Sequence, residues 1–114
     1  MKFKINGSTY LIREVPQEEF TRLKEDDEDT CYFGQSNFMT QEVLLDESLS
    51  LDRKKKTLYH ELMHVYIKEY LMMMLLKNAD EEIICDLSAN SHDIIHEIVE
   101  KYFEKKKTRF AFKS

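Results

Sequence analysis

Short-range alternation of apolar and polar side chains marks the first half of the chain as β-rich. Residues 2–5 alternate strictly, and residues 9–15 are rich in β-branched and aromatic side chains, as in strands with one buried face. The Asn-Gly dipeptide at 6–7 is the preferred sequence of a two-residue hairpin loop. Residues 31–36 and 41–45 form a second pair of β-type segments. The pattern therefore predicts two β-hairpins.

The second half of the chain changes to a helical period. Residues 51–76 contain neither glycine nor proline, and their apolar positions recur at i, i+4 and i+7, as on the buried face of a helix. The positions concerned are Leu58, Leu62 and Val65. Ser48 or Ser50 can cap the first turn, because a serine hydroxyl accepts a hydrogen bond from a free backbone N–H there.

A second long helix is predicted from about residue 80 to residue 106, after the break at 78–80. Phe110 and Phe112 alternate in the tail at 107–114, which fits either a docking strand or a disordered end. Two hairpins followed by two helices predict an α+β domain, in which a small antiparallel sheet packs on a helical pair.

Composition and charge narrow the class of protein. With 114 residues the chain is predicted to be one domain, 1–114. Its net charge of −5 gives no support to a nucleic-acid partner, and its longest apolar run, 70–76, is too short to cross a bilayer. Cys31 and Cys85 are predicted to be reduced and buried, which is typical of a cytoplasmic protein. The acidic run 25–29 is interpreted as a solvated loop.

Residues 60–64 have the sequence His-Glu-Leu-Met-His, the H-E-x-x-H pattern of zinc peptidases. Histidines four positions apart lie on the same face of a helix, so His60 and His64 can bind one zinc ion at about 2.0–2.1 Å. Glu61 lies beside them, where it can take a proton from a zinc-bound water as general base. The middle of the helix predicted at 51–76 would fix all three side chains.

A catalytic zinc needs a third protein ligand and an open position for water. Glu82 on the second helix is favoured, because Asp86 follows on the same face and can accept the second N–H of one histidine. Glu81 is the rival, with Cys85 behind it as a poorer acceptor. Spacing alone leaves the choice between the two glutamates open.

Two other ligand sets are disfavoured. Ile67 and Tyr70 occupy the positions where a metzincin has a glycine and a third histidine. His92 and His96 form a second i, i+4 pair, but they lie roughly 15 and 21 Å along the helix from Glu82. That distance is too long for them to share a metal with this glutamate.

Segments 57–64 and 81–89 together resemble the ImmA/IrrE-type zinc metallopeptidases, especially the short members of phages and mobile elements, and the minimal gluzincins. The resemblance extends over roughly residues 31–104. It implies a zincin-like fold and a substrate that is a peptide or a protein, since families of this type often cleave a repressor or regulator. Met63 departs from the family pattern, which often has a glycine at this position.

For the metal site, the resemblance implies a zinc ion held by His60, His64 and a glutamate of the next helix, with Glu61 as general base. The family's glutamate falls on Glu82 or on Glu81, depending on which small residue near position 89 is taken as the reference. Asp86 would then accept a hydrogen bond from the second ring N–H of one zinc-binding histidine.

Motif and resemblance together predict a zinc-dependent metallopeptidase that hydrolyses peptide bonds through a zinc-bound water, with Glu61 as general base. The alternative is a catalytically inactive, zinc-containing module for protein binding or regulation, in which Cys85 or Asp86 completes the coordination of the zinc ion as fourth ligand. A third possibility is that the chain binds no metal. Strand 41–45 is expected to hold an extended substrate by edge addition. The candidates for stabilising the transition state are Tyr59, Tyr66 and Tyr70.

Overall fold

The computed structural model describes residues 1–20, 33–76 and 81–113, with backbone alone at 71–76, 81–84, 86–87 and 105–113. The elements are β1 (Lys2–Ile5), β2 (Ser8–Val15), a 3-10 turn (Gln17–Glu19), β3 (Gly34–Asn37), β4 (Glu42–Asp46), α1 (Leu51–Leu76) and α2 (Glu81–Lys113). This order confirms the predicted α+β class, with strands first and two helices after them.

Both predicted hairpin pairings are present. The first hairpin turns at Asn6 and Gly7, whose φ angles of 51° and 83° are the two positive values that a type I′ loop requires. β1 pairs antiparallel with β2, and β3 pairs antiparallel with β4, where Ser36 lies opposite Val43. Local turn chemistry is therefore enough to account for the first hairpin.

The two hairpins join through a parallel pair, so the strand order is β1-β2-β4-β3. Ile12 of β2 lies opposite Val43 of β4. The prediction of an antiparallel sheet is wrong for this central pair, because an alternating pattern fixes which face of a strand is buried but not which strand it pairs with. Since β4 has a neighbour on each side, residues 41–45 offer no free edge to a substrate. Among the described strands, the edges are β1 and β3.

α1 buries its apolar stripe against the sheet. Leu58, Leu62 and Val65 are each 0% exposed, which confirms the predicted stripe, and burial of each such side chain stabilises the fold by about 1.5–3 kcal/mol. Ile95 and Val99 of α2 belong to the same core cluster. With this stripe in the core, the opposite face of α1 is turned toward solvent.

Ser50 and Asp46 organise the turn before α1. The Ser50 hydroxyl accepts a hydrogen bond from the Arg53 N–H at 3.3 Å, so Ser50 and not Ser48 caps the helix. Ser48 instead donates its N–H and its hydroxyl to Asp46 at 2.9 and 2.8 Å. The Gln17 amide donates to the same carboxylate at 2.6 Å. These bonds, that of Gln17 foremost, lower the pKa of Asp46.

We expect Asp46 to make the fold sensitive to acid. Because its pKa is lowered in the folded chain, its stabilisation is fully present above the unfolded pKa of about 3.9 and is lost as pH falls through the folded pKa. Asp46→Asn is therefore expected to reduce the free energy of unfolding by about 1–3 kcal/mol at pH 7. Urea unfolding should show this difference shrinking toward about pH 3; a difference independent of pH would contradict the assignment.

Glu69 ties the first hairpin to α1. Its carboxylate accepts hydrogen bonds from the Ser8 hydroxyl at 2.6 Å and the Tyr10 hydroxyl at 2.8 Å, and Asn6 donates to its backbone carbonyl at 3.0 Å. Burial and the adjacent Glu69 carboxylate raise the pKa of Tyr10 above its usual range. The tyrosine therefore stays protonated and remains a donor.

α2 extends beyond its predicted end at residue 106 and runs to Lys113. Residues 107–113 are helical, so the prediction of an extended or disordered tail is wrong for them. Phe110 and Phe112 alternate in sequence, but two residues are too few to distinguish a strand from a helix that is continued by its preceding turns.

Cysteine exposure also differs from the prediction. Cys85 is free and exposed, not buried, whereas Cys31 and the acidic run 25–29 lie outside the described residues. In the three described ranges, no helix combines the length and the apolar character needed to cross a membrane.

Candidate metal centre

α1 brings the two histidines of the motif together. Nε2 of His60 and Nε2 of His64 lie 3.1 Å apart, with the ring centroids 4.7 Å apart at 82°. Two nitrogen ligands on a tetrahedral zinc at about 2.0–2.1 Å are themselves about 3.3–3.4 Å apart. The pair therefore fits one zinc ion with little adjustment, and both residues are exposed to solvent, which leaves room for further ligands.

Glu61 is turned toward β3. It is 8% exposed, and its Oε1 accepts a hydrogen bond from the Ser36 hydroxyl at 2.7 Å. The same hydroxyl lies 3.1 Å from the backbone carbonyl oxygen of Glu61. The glutamate of the motif is thus held by a residue 25 positions earlier in the chain.

Gly34 allows β3 to approach α1 this closely. A Cβ atom at this position would lie 2.6 Å from Cγ2 of Thr57, 3.1 Å from Cγ of Glu61 and 3.1 Å from the Leu44 carbonyl oxygen. Neither Gly34 nor Ser36 was among the residues predicted for the site. A glycine inside a strand often marks a close backbone approach, so Gly34 carried a usable signal, whereas nothing in the sequence singles out Ser36.

Exposed apolar and cationic side chains flank the histidine pair. The Arg53 guanidinium lies 5.4 Å from the centre of the Phe33 ring, and Nζ of Lys68 lies 5.8 Å from that of Phe38. Since Arg53 precedes and Lys68 follows the motif on α1, the two pairs lie on opposite sides of it. Met63 and Ile67 are large exposed apolar residues of the same helix. The surroundings of the pair are therefore apolar and cationic.

α1 and α2 run antiparallel. Three contacts fix their register: Lys55 with Glu100 at 3.7 Å, Tyr59 with His96 at 2.6 Å, and Tyr66 with Asn90 at 3.2 Å. In this register the residues of α2 level with His64 are those near 91–92. The first turn of α2 lies about ten residues away, or roughly 15 Å along the axis.

The predicted third ligands lie in the first turns of α2. Glu81 and Glu82 begin the helix and Asp86 follows, but their side chains are outside the described part of the structure. Among the described residues, no third histidine, cysteine, aspartate or glutamate groups with His60 and His64. The histidine pair is thus placed by the structure, and the third ligand stays a prediction.

A match to a protein family decides the class of this chain. The model of the IrrE N-terminal-like domain, a peptidase family, matches residues 13–112. The chain belongs to this family. The resemblance inferred from the segments around the motif is thereby confirmed, while no curated protein and no solved structure matches the chain.

Membership gives the IrrE-like domain a metallopeptidase-type function at the level of the family, which is of the zinc-dependent type. Zinc takes imidazole nitrogens in a tetrahedral arrangement. The spacing of the two Nε2 atoms suits that arrangement, so the described donors fit the metal that the family implies.

The candidate tyrosines of the IrrE-like domain are engaged in helix packing. The Tyr59 hydroxyl is hydrogen-bonded to Nδ1 of His96, and the His92 ring lies parallel to that of His96, with centroids 6.0 Å apart. The Tyr66 hydroxyl accepts a hydrogen bond from α2, and the Tyr70 ring packs against that of Tyr66 at 4.4 Å. The contacts of Tyr59 and Tyr66 join α1 to α2, that of Tyr70 lies within α1, and none of the three tyrosines is assigned to the metal centre.

Proposed function

We propose that the IrrE-like domain is a zinc-dependent endopeptidase, with His60 and His64 as zinc ligands and Glu61 as general base. The observation that carries the proposal is the 3.1 Å separation of the two Nε2 atoms, on the helix that also holds Glu61. When bound, zinc polarises the scissile carbonyl and lowers the pKa of a water toward about 7. Glu61 accepts a proton from the attacking water and returns it to the leaving amine.

The proposed substrate is an extended segment of a peptide or protein, bound along β3. β4 is paired on both sides, whereas β3 is an edge among the described strands and lies next to Glu61. Such an edge can hold an extended peptide through backbone hydrogen bonds. Phe33 precedes the first residue of β3 and Phe38 follows its last residue, so apolar side chains suit both sides of the cleaved bond. The cations over these rings favour acidic side chains nearby.

A regulator protein is the proposed kind of physiological substrate, on the strength of the family. Nucleic acid is not proposed as a partner, because the chain has a net charge of −5.

The test begins with metal content and cleavage. Purified protein is expected to bind one zinc per chain and to cleave members of a synthetic peptide library, with cleavage lost on chelation and restored by zinc. X-ray absorption should show three protein ligands and an open position. One zinc enclosed by four protein ligands, with no peptide cleaved, would instead support the catalytically inactive binding module. A chain that binds no zinc would overturn both proposals.

Glu82 is the proposed third ligand, on the strength of the family, with Asp86 beside it and Glu81 as the rival. Because the first turn of α2 lies roughly 15 Å along the axis from the level of His64, this proposal requires that turn to move toward the histidine pair when zinc binds. Loss of a residue that hydrogen-bonds to a metal ligand typically lowers metal affinity 10–100-fold. Loss of the ligand itself is therefore expected to lower zinc affinity at least about 100-fold. Glu82→Gln should show that loss in a competition assay with a chromophoric chelator, and Glu81→Gln should change affinity by less than about threefold. The reverse result would assign Glu81, and two small effects would exclude both.

A further inference from the structure

We propose that Ser36 is a positioning residue for Glu61: its hydroxyl holds one carboxylate oxygen, so that the other is presented to the attacking water. The inference rests on the proposed function, in which Glu61 is the general base. Ser36 lies on β3, outside the motif and outside the segments 57–64 and 81–89 that carry the resemblance, although within the region that the family model matches.

The two oxygens of the Glu61 carboxylate have different surroundings. Oε1 accepts the Ser36 hydrogen bond at 2.7 Å, a length typical of a hydroxyl that donates to a carboxylate. Oε2 has no hydrogen-bond partner among the described residues, and it is not sealed from solvent, because no fully buried side-chain oxygen there lacks a partner. One oxygen is therefore held, and the other has no protein partner in the described part of the chain and keeps some exposure to solvent.

The position of the Ser36 hydroxyl is fixed by the sheet. Ser36 lies opposite Val43 of the central strand, and Val43 is completely buried. Gly34, two residues earlier, sets the close spacing between β3 and α1. A donor carried by a strand is placed more reproducibly than one carried by a loop, and a general base depends on such placement, since an error of about 1 Å can lower a rate 100-fold.

A second serine offers a matched control within the same protein. Ser8 of β2 donates to Glu69 of α1 at 2.6 Å, so it also joins the sheet to the helix through a hydroxyl and a carboxylate. Ser8→Ala and Ser36→Ala remove the same chemistry from the same two layers. Only Ser36→Ala removes a hydrogen bond to Glu61, the proposed general base.

The experiment compares zinc-loaded wild type, Ser36→Ala, Ser36→Thr and Ser8→Ala on one quenched-fluorescent peptide chosen from those the wild type cleaves. Ser36→Ala is expected to lower kcat roughly 10- to 100-fold, with KM and zinc affinity within about twofold of wild type. Ser36→Thr retains the hydroxyl and is expected to recover most of kcat. Ser8→Ala is expected to reduce thermal stability about as much as Ser36→Ala while leaving kcat unchanged.

Two results would overturn the assignment while the proposed function stands. The first is a wild-type kcat in Ser36→Ala, and the second is an equal loss of kcat in Ser8→Ala, which would make the effect one of stability. A zinc-loaded wild type that cleaves no library peptide is a different outcome, because it overturns the proposed function and removes the catalytic role of Ser36 with it. A double-mutant cycle of Ser36→Ala and Glu61→Ala on unfolding free energy then reports whether the contact exists.

Discussion

Glu61→Gln is expected to lower kcat by about 10²- to 10⁴-fold, the range that a positioned general base contributes, while zinc content stays at one per chain. Glutamine has the size of glutamate and its amide oxygen can still accept the Ser36 hydrogen bond, so the helix and the histidine pair are preserved. It cannot take a proton from water at neutral pH. Both parts of this expectation are checked on the same sample. Atomic absorption measures the zinc content, and cleavage of the library-derived peptide measures kcat.

Glu69→Gln is the control for this experiment. Glu69 lies on the same helix, and its carboxylate accepts hydrogen bonds from Ser8 and Tyr10. Its substitution is expected to reduce stability by about 1–3 kcal/mol with kcat and zinc content unchanged. Full activity in Glu61→Gln would exclude the role of general base, and loss of zinc in that variant would show that Glu61 contributes to the metal site.

Gly34→Ala is expected to destabilise the fold by about 1–3 kcal/mol and to lower kcat as well. An alanine that replaces a glycine without strain usually stabilises by about 0.4–1 kcal/mol through the unfolded chain, so the sign depends on contacts in the folded state. The new Cβ would lie 2.6 Å from Cγ2 of Thr57, which is too close unless β3 and α1 separate. Because Ser36 is carried by the same strand, that separation also displaces the donor to Glu61.

A second substitution can relieve this clash. Thr57→Ser removes Cγ2 and keeps the hydroxyl, and the remaining close contacts of the new Cβ are at 3.1 Å. Gly34→Ala combined with Thr57→Ser is therefore expected to recover most of the lost stability and activity. Urea unfolding and peptide cleavage of the two single variants and the double variant measure the recovery. A Gly34→Ala variant that is more stable than wild type would show that the strand and helix can separate at no cost.

The features that the sequence predicted correctly depend on residues that are close together in the chain. The first hairpin follows from one dipeptide, Asn6-Gly7, whose two positive φ angles only a few residue types adopt readily. α1 follows from its apolar period, and it runs from Leu51 to Leu76 as predicted. The histidine pair is also local, because four positions of one helix suffice to place the two rings together.

What the sequence did not predict depends on residues far apart. The parallel pairing of β2 with β4 joins Ile12 to Val43, and no pattern within either strand specifies its partner. Ser36 meets Glu61 across 25 positions and resembles any other serine in a strand. The predicted third metal ligand would also be far in the chain from the histidine pair, which is why spacing alone left Glu81 and Glu82 as rivals.

The parallel pair at the centre of the sheet has a consequence for the order in which the chain folds. Each hairpin and α1 can form from neighbouring residues, but β2 and β4 can pair only after a loop of about thirty residues closes, and such closure is slow compared with local contacts. The contact of Ser36 with Glu61 also spans 25 positions, so we expect it to form after α1 and its histidine pair. A newly made chain would then form the histidine pair before Ser36 contacts Glu61. The two proposed zinc ligands would therefore be in place before the proposed general base is positioned.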